Sequence, residues 1–444
     1  MVPMPTGSQT PAHRMKKRDI AKPGFALVLV SCLSLATVPA AQASTSAAQP
    51  AVVGVADAAT PDPLFPAPGQ PTAPSAEDDR TASTVAKDAD DLRVATLHAN
   101  ITADSSGDEP VKDLIASLST GNHTQARAVA QTVQMNDPDV IVLTGVTYDK
   151  EHQIAELLNG YLAAGQHSES GLDFPYLFTE GTNSGRESGV DLDGDGTIGG
   201  PGDAVGYGEY PGQYGTVIFS KYPIVEEEVR TFKEFLWSDV PDTSMPTGRD
   251  SSLESSVLRL HETSMWDVPV EVDGETVHII SASVASPPEA ADTDRGDDMR
   301  RVMADYVAGR AWYLYDDEGE TGHMEPGTPF VVAGVPAVRS GEVENLDVLL
   351  ESPVIRDTRP EAVTEVPEDE HPAATWATDP EDTRHVAEGR GERASFVLPS
   401  TSVDVSGSGV FWPAEGEYGY EVVDPESVYG LDDRLVWLDL TISS

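Results

Sequence analysis

Cysteine is all but missing: Cys32 is the only one in 444 residues. No internal disulfide can form, and neither a cysteine zinc site nor a dithiol redox motif is available. A large apolar core must hold the fold instead. The 39% of hydrophobic residues, spread over a folded length of roughly 350 residues, suffices for one sizeable domain. Positive charge is scarce as well. Against 75 Asp and Glu stand 28 Lys and Arg, a formal net charge of -47. Nucleic-acid binding relies on cationic side chains that displace counterions from phosphates, so bulk electrostatics exclude DNA and RNA as partners. Anionic lipid is repelled too. The surplus favours solubility, as in a salty extracellular setting, and would attract a basic protein or surface ligand. There is no Gly-x-Ser-x-Gly elbow and no phosphate-cradling Gly-Lys-Ser/Thr loop.

The N-terminus has the parts of a secretion signal. Lys16, Lys17, Arg18 and Lys22 form a basic region. Phe25 to Val38 is mostly apolar but too short for a membrane span. Ala41-Gln42-Ala43 offers a small-x-small site. These features predict a signal peptide over residues 1–43, cleaved after Ala43, and a secreted protein; Met15 is an alternative start. Leu29-Val30-Ser31-Cys32 also resembles a lipobox, which would anchor the chain through Cys32. Residues 44–88 are rich in Ala, Pro, Ser, Thr and Asp without apolar periodicity and predict a disordered linker. The folded domain is expected over 89–444, starting near Asp91.

From there strands and helices mix. Leu92–Leu97, Asp139–Thr144, Thr216–Phe219, Val277–Ile280, Phe330–Ala333 and Leu435–Leu440 read as strands. Thr124–Met135, Gln153–Tyr161 and Met299–Tyr315 read as helices. The pattern predicts an α/β or α+β sandwich.

Several ordered motifs narrow this. They are Gly206-Tyr207-Gly208-Glu209-Tyr210-Pro211-Gly212-Gln213-Tyr214-Gly215, Phe219-Ser220-Lys221-Tyr222-Pro223-Ile224, Phe235-Leu236-Trp237, Trp266-Asp267-Val268-Pro269-Val270 and Val410-Phe411-Trp412-Pro413-Ala414. With them the chain resembles secreted bacterial members of the endonuclease/exonuclease/phosphatase family from roughly Leu92 to Leu440. The resemblance implies a four-layer α-β-β-α sandwich of two packed mixed sheets. It also implies metal-assisted cleavage of a phosphate ester. A carboxylate would hold Mg²⁺, an Asp would activate water, and Asn and His would donate to the phosphoryl oxygens.

The residues at those positions depart from that chemistry. Where the resemblance implies an Asn closing the first strand, the chain has His98. The metal-binding Glu after the second strand is Gly145. Ser283 and Val284 stand where a His precedes the Pro287-Pro288 pair. The Gly-Asp-x-Asn element reads Gly334-Val335-Pro336-Ala337, and a further Asp is Ser395. The closing Ser-Asp-His element reads Leu431-Asp432-Asp433, in which Asp432 is retained. These departures predict a domain that has lost phosphoesterase activity and acts in binding or as a scaffold. The alternative is a phosphoesterase with a rearranged site built from His98, Asp149, Asp432 and Asp433.

Asp191-x-Asp193-x-Asp195-Gly196 has the oxygen spacing of a calcium loop and is a candidate structural Ca²⁺ site, although position twelve is Gly202 and Asp203 comes one residue late. His98, His123, His261, His278 and His371 show no metal-ligand spacing. Tyr207, Tyr210, Tyr214, Trp237, Trp266 and Trp412 are candidates for lining a groove.

Overall fold

The computed structural model describes residues 84–245, 253–283, 293–334, 346–362, 383–386, 390–424 and 426–442. Two mixed β-sheets form the centre. The first has six strands: β1 (Asp91–Ile101), β2 (Val140–Val146), β3 (Tyr176–Phe178), β4 (Gly215–Ser220), β12 (Asp404–Val410) and β13 (Val436–Thr441), ordered β12-β13-β1-β2-β4-β3. The second has five: β5 (Arg230–Thr231), β6 (Met265–Val272), β7 (Glu275–Ala282), β8 (Phe330–Gly334) and β11 (Phe396–Pro399), ordered β11-β8-β7-β6-β5. A separate two-stranded ribbon pairs β9 (Arg384–Val386) with β10 (Arg390–Glu392).

The sandwich follows from strands that are apolar on both faces. Successive side chains point to opposite faces, so a doubly covered strand must read as a continuous apolar run. In β8, Val331 and Ala333 join one core while Phe330 and Val332 join another. β7 divides likewise: Val277 and Ile279 belong to the first core, Ile280 and Ala282 to the second. The first core also takes β1, β2 and β13 together with helices α1 (Pro110–Leu118), α2 (Thr124–Asn136) and α3 (Gln153–Ala163). The second takes Met299, Val302, Met303 and Tyr306 of α4 (Thr293–Val307). The layers are therefore α-β-β-α, as expected. Phe178 meets the edge of Trp266 across the two sheets, with ring centroids 5.0 Å apart.

The last long helix differs from the one its sequence predicts. It spans Thr293–Val307, not Met299–Tyr315. Gly309, with φ +72°, ends it in the left-handed conformation that favours glycine. The apolar residues beyond form a turn instead, with Ala311 and Leu314 buried.

A buried ion pair locks the centre of the first sheet. Arg93 on β1 faces Asp439 on β13, with Nε and Nη2 each 2.7 Å from a carboxylate oxygen. Its remaining guanidinium nitrogen donates to the Asn136 and Val85 carbonyls, and the group lies 4.1 Å from the Trp437 ring centroid.

Candidate functional site

The strand order brings several of the chain positions singled out above to one rim. Parallel β1 and β2 end at the same edge, where β4 and β13 begin, so His98, Gly145, Thr216 and Asp433 lie along the end of one sheet. Ser283, Gly334 and Ser395 stand at the corresponding ends of the second sheet.

His98 and Gly145 are neighbours in space. His98 Nδ1 is 3.0 Å from Thr144 Oγ1, which turns the ring across the start of the next residue. A Cβ built on Gly145 would lie 2.4 Å from His98 Cε1 and 2.9 Å from Nε2. Gly145 also has φ +68°, which a side-chain-bearing residue adopts only with strain. The imidazole thus fills the volume that a side chain at 145 would need. Burial pushes the His98 pKa down; Asp433 raises it, Arg384 lowers it and Asp432 raises it, and the outcome is lower than usual. The ring is neutral at pH 7.

Asp433 is buried and already has a cation. Arg384 Nε donates to its Oδ1 at 2.7 Å, and the backbones of the two residues form a β-bridge. Asp432, beside it, is exposed. Arg434 is buried over the Trp412 ring at 4.2 Å and donates to the Val423 carbonyl. Burial brings its pKa down to about 10, so it stays charged.

Hydroxyls occupy the second sheet's share of the rim. Ser283 Oγ lies 3.3 Å from Thr216 Oγ1 and 3.2 Å from Thr263 Oγ1, a polar bridge between the sheets. Ser395 is buried, with its amide donating to Thr383 Oγ1, and its own hydroxyl has no partner among the described residues. Val284, Val335 and Ala337 lie outside the described residues, as do His371, Pro287-Pro288, Cys32 and the 1–43 segment.

Among the described residues, this arrangement offers no set of ligands for a catalytic divalent cation. Gly145 offers no ligand atom and the adjacent space holds an imidazole. Asp433 is spent on a guanidinium. Nor does Asp149 add to the site. Its two carboxylate oxygens accept from the Gln153 and Ile154 amides and satisfy the start of α3. Among the described residues, His98, Asp149, Asp432 and Asp433 do not form a metal-competent group.

Asp191, Asp193 and Asp195 do form such a group, with one ligand atom each, all within 4.8 Å of one another. Their loop is organised by backbone donation: Gly194 and Gly196 amides to Asp191, the Asp195 amide to Asp193, the Thr197 amide to Asp195. Asp203 closes the loop from beneath. Burial works against its ionisation, but the amides of Gly199, Leu192 and Asp193 outweigh that and hold its carboxyl below the usual range.

The aromatic candidates divide. Trp237, Trp266 and Trp412 are buried core residues and line no groove. Tyr207, Tyr210 and Tyr214 are half-buried on the rim. Tyr207 and Tyr214 lie nearly parallel, with centroids 6.5 Å apart at 27°. Burial raises the Tyr214 pKa, as do Tyr207 and Glu209. Of the histidines, His123 caps α2 through its Nδ1, and His278 pairs with Asp267 at 2.7 Å. His261 is fully buried with both ring nitrogens unpaired among the described residues.

Residues 115–334 match the model of the Endonuclease/Exonuclease/phosphatase family. The chain carries a domain of that family. Among solved structures it is similar to an endonuclease/exonuclease/phosphatase from Beutenbergia cavernae DSM 12333, at 18% identity over 80% of this chain and 72% of that one, with a TM-score of 0.41. A family protein from Leptotrichia buccalis C-1013-b is 11% identical over 79% of this chain and 100% of its own, with a TM-score of 0.41. One from Bacteroides vulgatus is 14% identical over 80% and 99%, with a TM-score of 0.40. No curated protein matches.

The Arg384–Asp433 pair carried no sequence signal. The two residues lie far apart in the chain with no motif linking them. The fit of His98 against Gly145 was equally hidden, because neither substitution announces the other.

Proposed function

We propose that this endonuclease/exonuclease/phosphatase-family domain has lost metal-dependent phosphoesterase activity and works as a secreted binding or scaffold protein. The observation that carries the reading is the contact between His98 and Gly145. A bare glycine at a metal-ligand position leaves a hole that another carboxylate or a water could bridge. Here the neighbouring strand supplies a neutral ring that fills it. The Arg384–Asp433 pair supports the same conclusion, since it neutralises the nearest buried carboxylate internally. Losing one general acid or base costs about 10²–10⁴ in rate, and one oxyanion donor roughly 10²–10³. Effects within one site are not additive, but all these roles are vacated together.

Phosphodiesterase and phosphomonoesterase assays with Mg²⁺, Mn²⁺ or Ca²⁺ test the reading. Background rates are expected. Metal-dependent turnover that Asp432→Ala abolishes would overturn it. For the secreted state, N-terminal sequencing of exported protein should begin at Ser44; a lipid on Cys32 would replace secretion with anchoring.

The Asp191–Asp195 loop fits a structural Ca²⁺ within this reading, since alternate carboxylates converge on one point. Calorimetry is expected to show Ca²⁺ binding that Asp193→Ala removes. Null titrations for both proteins would exclude it.

A further inference from the structure

The rim to which the family resemblance assigns phosphate chemistry presents exposed carboxylates. Its exposed charges include Glu180, Glu209 and Asp432, and half-buried Tyr148, Tyr207 and Tyr214 stand among them. The carboxylates act on the rings: Glu180 helps to raise the Tyr148 pKa, after burial, and Glu209 that of Tyr214. One cation of the chain itself already binds a rim carboxylate, and a second stands in the same neighbourhood as a rim tyrosine. The Arg384 guanidinium binds Asp433. Lys233 Nζ and the Tyr148 ring flank Gly181, at 3.4 and 3.7 Å from the position of its missing Cβ. Tyrosine faces attract cations through the ring quadrupole, and a carboxylate beside them supplies a charge-assisted hydrogen bond.

The strand order sets the length of the site. From Asp432 at the head of β13 to Tyr214 at the head of β4 the rim crosses β1 and β2. Three inter-strand steps of about 4.8 Å give roughly 14 Å, the reach of four or five extended residues at about 3.3 Å each. We propose that this rim binds an extended basic peptide segment of a partner protein, with Tyr207 and Tyr214 flanking one cationic side chain and Asp432 pairing with another. The proposal rests on the non-catalytic reading above and adds the ligand's chemistry to it.

Calorimetric titration of the whole chain with hexa-arginine tests it, at about 0.15 M NaCl where the Debye length is about 8 Å. Glu209→Gln with Asp432→Asn is expected to weaken binding about tenfold or more, and Tyr207→Leu with Tyr214→Leu to a similar degree. Glu227→Gln with Glu228→Gln removes equal charge beyond the far end of β4, where both residues are exposed. That pair is expected to change affinity less than about twofold, since screened remote charges contribute little. Equal losses from the two charge pairs would overturn the proposal in favour of the general charge of the chain. Undiminished binding by the tyrosine variant would overturn it too, and spermine binding as tightly as the peptide would overturn the peptide assignment. The readout is independent of turnover. Metal-dependent hydrolysis would remove the non-catalytic reading, whereas failed titrations with no hydrolysis would remove the ligand class alone.

Discussion

A glycine and a histidine on adjacent strands pack against each other at this rim, and their interdependence is measurable. Gly145→Ala places a methyl against the His98 ring at a backbone conformation that costs a non-glycine residue about 1–3 kcal/mol. His98→Ala in the same chain should return part of that loss, because the steric share disappears while the φ share remains. Urea unfolding of the two single variants and the double variant would give the coupling. Strict additivity would mean that the ring does not occupy that space. His261 offers a second handle at this scale. Burial, then Arg295, lowers its pKa to about 3, against an unfolded value of about 6.5. The unfolded state therefore binds the extra proton first. Stability from this group is full above about pH 6.5 and drains as pH falls toward about 3. His261→Gln should flatten the acid side of the stability profile between those limits. An unchanged slope would show that the ring is not held neutral in the fold.

Elements show what could be read from the chain beforehand. The double-sided apolar strands β2, β4 and β8 were legible because burial on both faces leaves a nearly unbroken hydrophobic run, and β7 because only His278 interrupts its run from Val277 to Ile280. β12 was not. Its sequence, DVSGSGV, has its two valines separated by serines and glycines, and Gly409 must admit the Trp437 indole; a Cβ there would lie 2.7 Å from that ring. The true end of α4 had a visible stop signal in Gly309, masked by the apolar residues that follow. At the rim, each substitution was legible singly and the pairing among them was not, since contacts between distant strands leave no local pattern. The ion pair between β1 and β13 belongs to this scale. Both of its members are buried. Arg93→Met leaves Asp439 uncompensated and should cost about 3–5 kcal/mol. Replacing both with apolar residues of similar volume should cost much less. Thermal melts of the single and double variants would distinguish the two outcomes.

For the whole molecule, self-repulsion from a net charge of -47 adds to the chain entropy that opposes the core. Such a surplus opposes compactness until counterions screen it. The melting temperature should rise from about 10 mM NaCl toward about 0.5 M, where the Debye length has fallen below about 10 Å. A flat or falling response would mean that acidic clusters are neutralised locally. The same charge should leave fluorescent DNA unbound at physiological salt.

The order of strands in the larger sheet imposes a timetable on folding. β1, the first strand, is inserted between β2 and β13, the last. While the chain is being made, the β13-facing edge of β1 has no strand to pair with, and Arg93 waits for an acceptor 346 residues further on. Closure is thus postponed until β13 has been made, and such long-range pairing is intrinsically slow. A nascent chain of this design stays threadable until β13 emerges, and that closing strand acts as a latch that turns a loose polymer into a finished fold.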